Sequence, residues 1–379
     1  MKYFDYIVEE FKAVMRDEGV LLFFVLLPIA YPLIYSWIYN NEVARQVPVA
    51  VVDDSHSAYS RQFITMMDAT PDVTIAYYCR NMQQAKDHIG HGEAYGILYF
   101  PHDFANKLGR HEQAHVGVYC DMSYMLTYKA IYAKAMEISM DINADIQKQM
   151  LSKFTQEEEL VSVKPLEYEE VPIFNVTGGY GNFILPGVLV LIIQQAMLLG
   201  VGMIAGTRRE ERKRLGLPPN PPLSFAAIFG RMTTYVLIFS VMLAWITLVV
   251  PRIFGFVSMV HGLDLLLFFT PYLFACAFFA MCVSEMVRYR ESVMLVVVFT
   301  SLPILFMSGI SWPQTAIPSF WQGVSCIFPS TFAVRGFVRM SSMGALLSDC
   351  LTEYLALFLQ LTIYFLIVVI INKVVRRAE

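Results

Sequence analysis

Charged residues are scarce in this chain. Asp, Glu, Lys and Arg make up 16% of its 379 residues, against 56% hydrophobic, where ordinary soluble domains carry about a quarter charged. With a mean hydropathy of +0.50, a large part of the chain belongs in lipid. The net charge of −4 lacks the basic excess that a nucleic-acid partner calls for. No cleaved signal peptide opens the sequence: the first apolar run, 20–39, is too long for one and ends in YNNE without a cleavage motif, so it is expected to stay as an anchor. There is no GxxxxGK[ST], so the chain by itself cannot cradle nucleotide phosphates. Six of the seven histidines fall between residues 41 and 180, but no HExxH or paired CxxC accompanies them, which leaves His88 and His91 as surface residues rather than zinc ligands. No Ser-His-Asp or nucleophile-elbow pattern stands out either. No catalytic, cofactor-binding or metal residue is therefore expected.

What is present is an alternation of apolar and mixed stretches. Apolar segments at 20–39, 183–205, 225–250, 263–282, 293–310 and 351–371 are each near the length needed to cross a bilayer. Lys and Arg give them a direction. Arg208, Arg209, Arg212, Lys213 and Arg214 lie between the second and third segments, Arg288 and Arg290 between the fourth and fifth, and Lys373, Arg376 and Arg377 after the sixth. The loop 311–350 carries only Arg335 and Arg339. The positive-inside rule then places both termini in the cytoplasm and the long segment 41–180 outside. Ahead of the first span, residues 1–18 form an amphipathic pattern, with Phe4, Ile7, Phe11, Val14 and Met15 on one face and Glu9, Glu10, Lys12 and Arg16 opposite. Such a helix is expected to lie flat at the cytoplasmic interface. Asp264, Glu285 and Glu353 fall at span ends, so the spans lack the buried carboxylates of an ion-driven carrier. Any energy source must dock from the cytoplasmic side.

Within 41–180, the runs VPVAVVDD, VTIAYYC, AYGILYFP and HVGVYCD read as strands, and 59–68, 82–91 and 103–108 as helices between them. That alternation predicts βαβ units and a small, mostly parallel sheet. Residues 123–154 contain neither Pro nor Gly and predict one or two long helices. The stretch 161–174 reads as extended, and GGYGN supplies a hinge before the second span. Asp53 and Asp54 end the first strand, where open α/β sheets bind ligands, but a turn capping the following helix through SHS explains them more simply. If the strand order is 2-1-3-4, the strands of Cys79 and Cys120 stand about 14 Å apart, too far for a bridge. Cys326 and Cys350 share one outer loop and face no such bar; Cys276 and Cys282 pack within a span.

Several motifs in order carry a resemblance: MRDEGVLLFFVLLPIAYPLIYS, VPVAVVDDSHSAYSRQF, ATPDV, AYGILYFPHDF and VYCDMS in the N-terminal part, then FMSGISWPQTAIPSFWQ and FPSTFAVRGF. The chain resembles, over nearly its whole length, the permease subunit of ABC type-2 exporters, in the branch with a large outer domain between the first and second spans. In the cytoplasmic loop the sequence GTRREERKRLGLPPNPP departs from the family pattern: Glu210 and Glu211 match its acidic positions and Pro218 or Pro219 its proline, but the GT expected after them is missing. The resemblance implies an inner-membrane exporter of bacterial type, built from two permease chains, identical or different, above two separate ATPase subunits that hold ATP and Mg. It further allows a periplasmic adaptor and an outer-membrane channel. Coupling would fall on the loop 206–224, through Arg208, Arg209, Glu210, Glu211 and Arg212, and on the N-terminal helix at Phe11. A solvated basic loop that only fixes topology accounts for the same charges. The cargo would be a hydrophobic or amphipathic small molecule or lipid.

The resemblance also implies an outer re-entrant segment within 311–350. Residues 311–343 are aromatic and apolar, yet broken by Pro313, Pro318 and Pro329, with Trp312 at the start. Interrupted backbone at membrane depth is tolerated only against protein or a cavity; an aromatic belt on an ordinary loop is the plainer account. Gln194 and Gln195, adjacent amides inside a span, either face a cargo path or bond a neighbouring helix. The fold expected is a six-span helical membrane protein with an extracytoplasmic α/β domain between spans 1 and 2. A membrane-anchored receptor or scaffold is the competing class, although six spans exceed what anchoring needs; a membrane-embedded enzyme lacks the converging residues.

Overall fold

The computed structural model describes residues 3–40, 43–110, 112–150, 174–175, 179–217, 223–287 and 289–378. The expected extended return at 161–173, Gly178, Arg288 and the prolines of 218–222 lie outside the described residues. The chain divides into two compact units, Val43–Val171 and the combination of Met1–Glu42 with Pro172–Glu379.

The first unit is a four-stranded sheet with helices on both faces. Strands β1 (Val47–Asp53), β2 (Val73–Cys79), β3 (Gly96–Phe100) and β4 (Gly117–Cys120) stand in the order β2-β1-β3-β4. β1 runs parallel to β2 and β3, and β4 antiparallel to β3. The central strand is Val-rich because both of its faces are covered. Val47, Val49 and Val51 meet Phe63, Ile64 and Met67 of α1 (Ala58–Asp68) and Ile131 and Ile138 of α2 (Met125–Met150). Ala50 and Val52 meet Ala85 of α3 (Met82–Gly90) on the other face. A short helix, α4 (Phe104–Gly109), packs Phe104 against Phe100. Pro48 is tolerated in this central strand because the ladder with β3 begins only at Val49. The strand order keeps Cys79 and Cys120 on opposite outer strands, and both are unbridged.

In the second unit a short helix, α5 (Tyr3–Arg16), leads into α6 (Glu18–Ile38). After the inserted unit come α7 (Tyr180–Arg214), α8 (Phe225–Phe254), α9 (Gly262–Met286), α10 (Ser292–Met307), α11 (Ser319–Ser325), α12 (Pro329–Met343) and α13 (Leu351–Ala378). Five of these helices, α6, α7, α8, α9 and α13, are long and apolar enough to cross a membrane. The sixth apolar segment, α10, has 16 residues, about 24 Å against the roughly 30 Å of a hydrocarbon core. The protein is thus a helical membrane protein with five to six apolar spans and a small α/β domain between the first two.

α7 is the centre of the bundle: 89% of its span is buried, against 28%, 33% and 22% for α6, α8 and α13. Its 35 residues reach about 52 Å, far more than a bilayer core. The segment TRREERKR, expected as part of a loop, is therefore the last two turns of this helix. No Gly or Pro interrupts it until Gly216, whose φ of +64° ends the helix, with Leu217 N–H bonding Arg212 O and Gly216 N–H bonding Lys213 O. Two of the spans carry a π-helical turn just ahead of a proline. The turns Leu22–Leu26 and Trp245–Val249 each end two residues before a proline, Pro28 and Pro251.

The stretch 311–343 is broken as expected. A 3₁₀ turn at Gln314–Ala316, α11 and α12 follow one another, and Pro313, Pro318 and Pro329 each stand at the start of one of them. α12 is buried against α7, α9 and α13 through Ala333, Val334, Phe337 and Met340. Trp312, by contrast, is exposed, with Phe320 and Trp321.

Candidate functional site

The charged residues of the bundle gather at one end, where α5 and α6 begin, α7 ends, α8 begins and α9 turns into α10. Asp17 starts this arrangement. Its carboxylate caps α6 by accepting from Gly19 N–H at 3.1 Å and Val20 N–H at 3.2 Å. The same group takes both guanidinium nitrogens of Arg290, Nη2 at 2.6 Å and Nη1 at 2.8 Å. That fork geometry is the strong form of an ion pair. Arg290 Nη1 also donates to Thr207 Oγ1 at 3.1 Å, and the Arg290 backbone N–H to Glu210 Oε1 at 2.9 Å. Arg209 clamps the end of α9, with Nη2 on Glu285 Oε2 at 2.7 Å and Nη1 donating to the carbonyls of Ser284 and Val287.

The deepest member is Glu10 of α5, 2% exposed. Its Oε2 takes Arg208 Nη2 of α7 at 2.5 Å and Arg231 Nε of α8 at 3.3 Å, and its Oε1 accepts from the hydroxyl of Tyr235. One carboxylate thus ties three helices together, and its burial is compensated by two guanidiniums and a phenol. α5 is also docked on α8 through Tyr3 OH with Thr233 Oγ1 at 2.6 Å and through Thr234 Oγ1 with Ile7 O at 3.2 Å. This reverses part of the expected helix face. Glu10 points into protein, while Phe4, Val8, Phe11 and Met15 form an exposed stripe. A polar residue on an interfacial helix faces its ion partners wherever they are, and here they lie beneath it.

Two glycines set the spacing of the helices. A Cβ on Gly206 would lie 2.6 Å from the backbone Cα of Arg290, and one on Gly202 2.7 Å from Val293. The α9–α10 turn therefore rests directly on the backbone of α7 at a Gly-Met-Ile-Ala-Gly step, the small-xxx-small pattern of close helix packing.

The residues singled out from sequence separate as follows. Arg208, Arg209 and Glu210 join the network; Glu211 and Arg212 stand at its rim, and Phe11 is half-exposed on α5. Gln194 is buried and its Oε1 accepts from the N–H of Ser330 at 2.7 Å, at the first turn of α12, so it bonds a neighbouring helix. Gln195 is buried as well, and neither of its amide atoms has a hydrogen-bond partner among the described residues. Pro329 is buried where α12 meets α7 and α13; Pro313 and Pro318 lie in the less buried part of the broken segment. The bridge allowed between Cys326 and Cys350 is not formed: Cys326 is exposed with its Sγ on Gln322 O, and Cys350 is buried with its Sγ on Gly336 O. Those partners lie on different helices, and each thiol is turned to its own.

In the α/β unit, Asp53 accepts from Ser55 and His56 N–H at 3.1 and 3.0 Å and from Ser60 Oγ at 2.8 Å, which fixes the turn that Ser57 then caps. His88 pairs with Glu93 at 2.6 Å and stacks on Tyr77. Among the described residues, no group of three or more metal-ligating side chains gathers.

Glu10, Asp17, Arg231, Tyr235 and Arg290 join this network without a local sequence pattern that links them. The available signal was Arg231, an arginine inside an otherwise apolar span, which calls for a named partner.

A multi-span helical bundle with an α/β insert after its first span and an ionic network at one end defines a polytopic membrane protein of the transport class. A family model described as "ABC-2 family transporter protein" matches residues 19–370, and the chain belongs to that family, as a membrane permease subunit without an ATPase domain. Comparison with curated proteins and with solved structures gives no match.

Proposed function

We propose that this permease forms, with a second permease chain and two ATPase subunits, an exporter that moves a hydrophobic or amphipathic small molecule or lipid outward, with ATP and Mg held in the ATPases. The observation that carries the reading is the network around Glu10, Asp17 and Arg290, which joins α5 and the starts of α6, α8 and α10 to the end of α7. A push on any one of these ends is transmitted to the others, because each is fixed by charged hydrogen bonds rather than by a loop. The exposed residues Glu211, Lys213 and Arg214 continue α7 beyond the network and offer the ATPase its surface.

Orientation follows from the charges. Arg208, Arg209, Arg212, Lys213, Arg214 and Arg290 sit at the network end, whereas Arg339, within α12, is paired with Glu353 at 3.3 Å. The network end is thus cytoplasmic, both termini with it, and the α/β unit is periplasmic in a bacterial inner membrane. α10 makes the sixth crossing, and 311–350 forms an outer re-entrant segment around the buried α12. The partner of the α/β unit in this reading is its twin or a periplasmic adaptor leading to an outer-membrane channel.

The test is copurification with an ATPase subunit, followed by the double substitution Glu210→Ala, Glu211→Ala. Loss of Glu210 releases the Arg290 backbone, so transport-coupled ATP hydrolysis is expected to fall while assembly persists. Wild-type hydrolysis and export by the doubly substituted complex would rule out the coupling assignment.

A further inference from the structure

At the basic end, α5, α7, α8, α9 and α13 surround a cavity of about 320 Å³, at the small end of ligand-sized pockets. Its lining changes with depth. Along α7, Val201 and Ala205 come first, then Arg208, and Glu211 and Arg212 a turn further out. Along α9 the sequence is Met281, then Ser284 and Glu285; along α13 it is Val368, then Ile371 and Asn372. The inner part is apolar and the rim is charged. A two-point bond ties α13 to the residue just ahead of the α8 cap: Asn372 Oδ1 accepts from Leu223 N–H at 2.6 Å, and Asn372 Nδ2 donates to Leu223 O at 2.7 Å.

The rim charges are balanced. Three guanidiniums, Arg208, Arg212 and Arg231, face three carboxylates, Glu9, Glu211 and Glu285. Arg208 and Arg231 each reach Glu10 through a single nitrogen, and a guanidinium has five N–H donors, so both retain donors for a second acceptor. A net anion gains little from a neutral rim. A headgroup that carries phosphate and ammonium side by side matches it on both signs, with the glycerol end in the inner part and the acyl chains leading out past α13. α13, which forms one wall, is only 22% buried along its span, so the cavity lies next to lipid.

We infer that this cavity is a binding site for one zwitterionic phospholipid, its phosphate on Arg208, Arg212 and Arg231 and its ammonium toward Glu9 and Glu211. The site lies within one chain and shares Arg208, Glu211 and Arg212 with the proposed coupling surface, but lipid retention by the isolated chain is read without an ATPase, so either reading can fail alone.

The test uses the full-length chain in detergent, read by native mass spectrometry after exposure to phosphatidylethanolamine, phosphatidylglycerol, diacylglycerol or inorganic phosphate. One phosphatidylethanolamine per chain is expected to be retained, more tightly than either other lipid. Arg212→Gln removes a charge-assisted bond and is expected to weaken retention about tenfold, with recovery in Arg212→Lys. Ala205→Phe fills the apolar part without touching the charges and is expected to abolish retention. Each variant is first checked for a monodisperse elution profile; should Ala205→Phe fail it, Val201→Phe takes its place. Retention unchanged in Arg212→Gln and in the filled variant would overturn the inference. Tighter binding of phosphatidylglycerol or diacylglycerol, or displacement of the lipid by an equal concentration of inorganic phosphate, would overturn it too.

Discussion

Glu10 is the residue on which three helices depend, and its position explains why it was easy to miss. On a helical wheel it falls with Glu9, Lys12 and Arg16 on the polar side of α5, and polar sides are read as wet. The partners that bury it come from residues 208, 231 and 235, which no local pattern connects to it. Arg208, by contrast, was legible because its charge stands in a cluster. Removing the carboxylate leaves Arg208 and Arg231 facing each other in a partly closed site. Glu10→Gln is expected to cost about 3 kcal/mol, the lower end of the range for a broken buried pair because both guanidiniums still reach water. Thermal unfolding of the purified chain measures it, and a midpoint unchanged from wild type would mean that the network holds without its centre. The thiols give a second check at this scale. All six cysteines are unbridged, so the denatured chain is expected to titrate six thiols with or without reductant. Burial raises the Cys79 thiol above its ordinary value, so at neutral pH it holds less thiolate than a free cysteine. Its alkylation in the folded chain is then slow and speeds up as pH rises.

Among the elements, the sheet was the most legible part. Four apolar runs with helical connections read as its strands, and the order β2-β1-β3-β4, entered from sequence only as a condition, is the one observed, because a βαβ unit has few ways to pack. The prolines of 311–343 likewise marked the three starts seen at Gln314, Ser319 and Pro329. The end of α7 reads from its charges as a solvated connection, yet it is helical to Arg214, because nothing in TRREERKR breaks a helix. The Gly202–Gly206 spacing is a small-xxx-small step visible in the sequence. It puts the α9–α10 turn against bare backbone, so Gly206→Val has no room: the nearest atoms are Arg290 backbone, which cannot swing aside as a side chain would. The expected cost is about 1–3 kcal/mol from overpacking, with loss of coupled activity because Arg290 moves away from Asp17. Gly90 at the end of α3 is the control. Nothing lies within 4 Å of a Cβ there, and Gly90→Ala is expected to be neutral or to stabilise by up to about 1 kcal/mol. Equal destabilisation by the two substitutions, read from their thermal midpoints, would remove the argument from close approach.

For the whole molecule, the sequence carried the family and the division into spans and insert, since both rest on long-range composition. The cargo was not readable, because cargo surfaces in such bundles are apolar and the bundle exposes apolar residues on every outer helix. What composition does imply is sidedness, and that can be tested without knowing the cargo. Lys86 on α3 and Lys213 on α7 are both exposed, so a cysteine at either position is accessible from its own side. In whole cells, a membrane-impermeant maleimide is expected to label Lys86→Cys once the outer envelope is opened, and Lys213→Cys only after the inner membrane is broken. The native thiols are replaced beforehand, since Cys326 is exposed. Arg208, Arg209, Arg212, Lys213 and Arg214 resist translocation together, which is why the two positions should differ. Labelling of both from the same side would place the α/β unit and the ATPase surface in one compartment, and the outward direction of transport would fall with it.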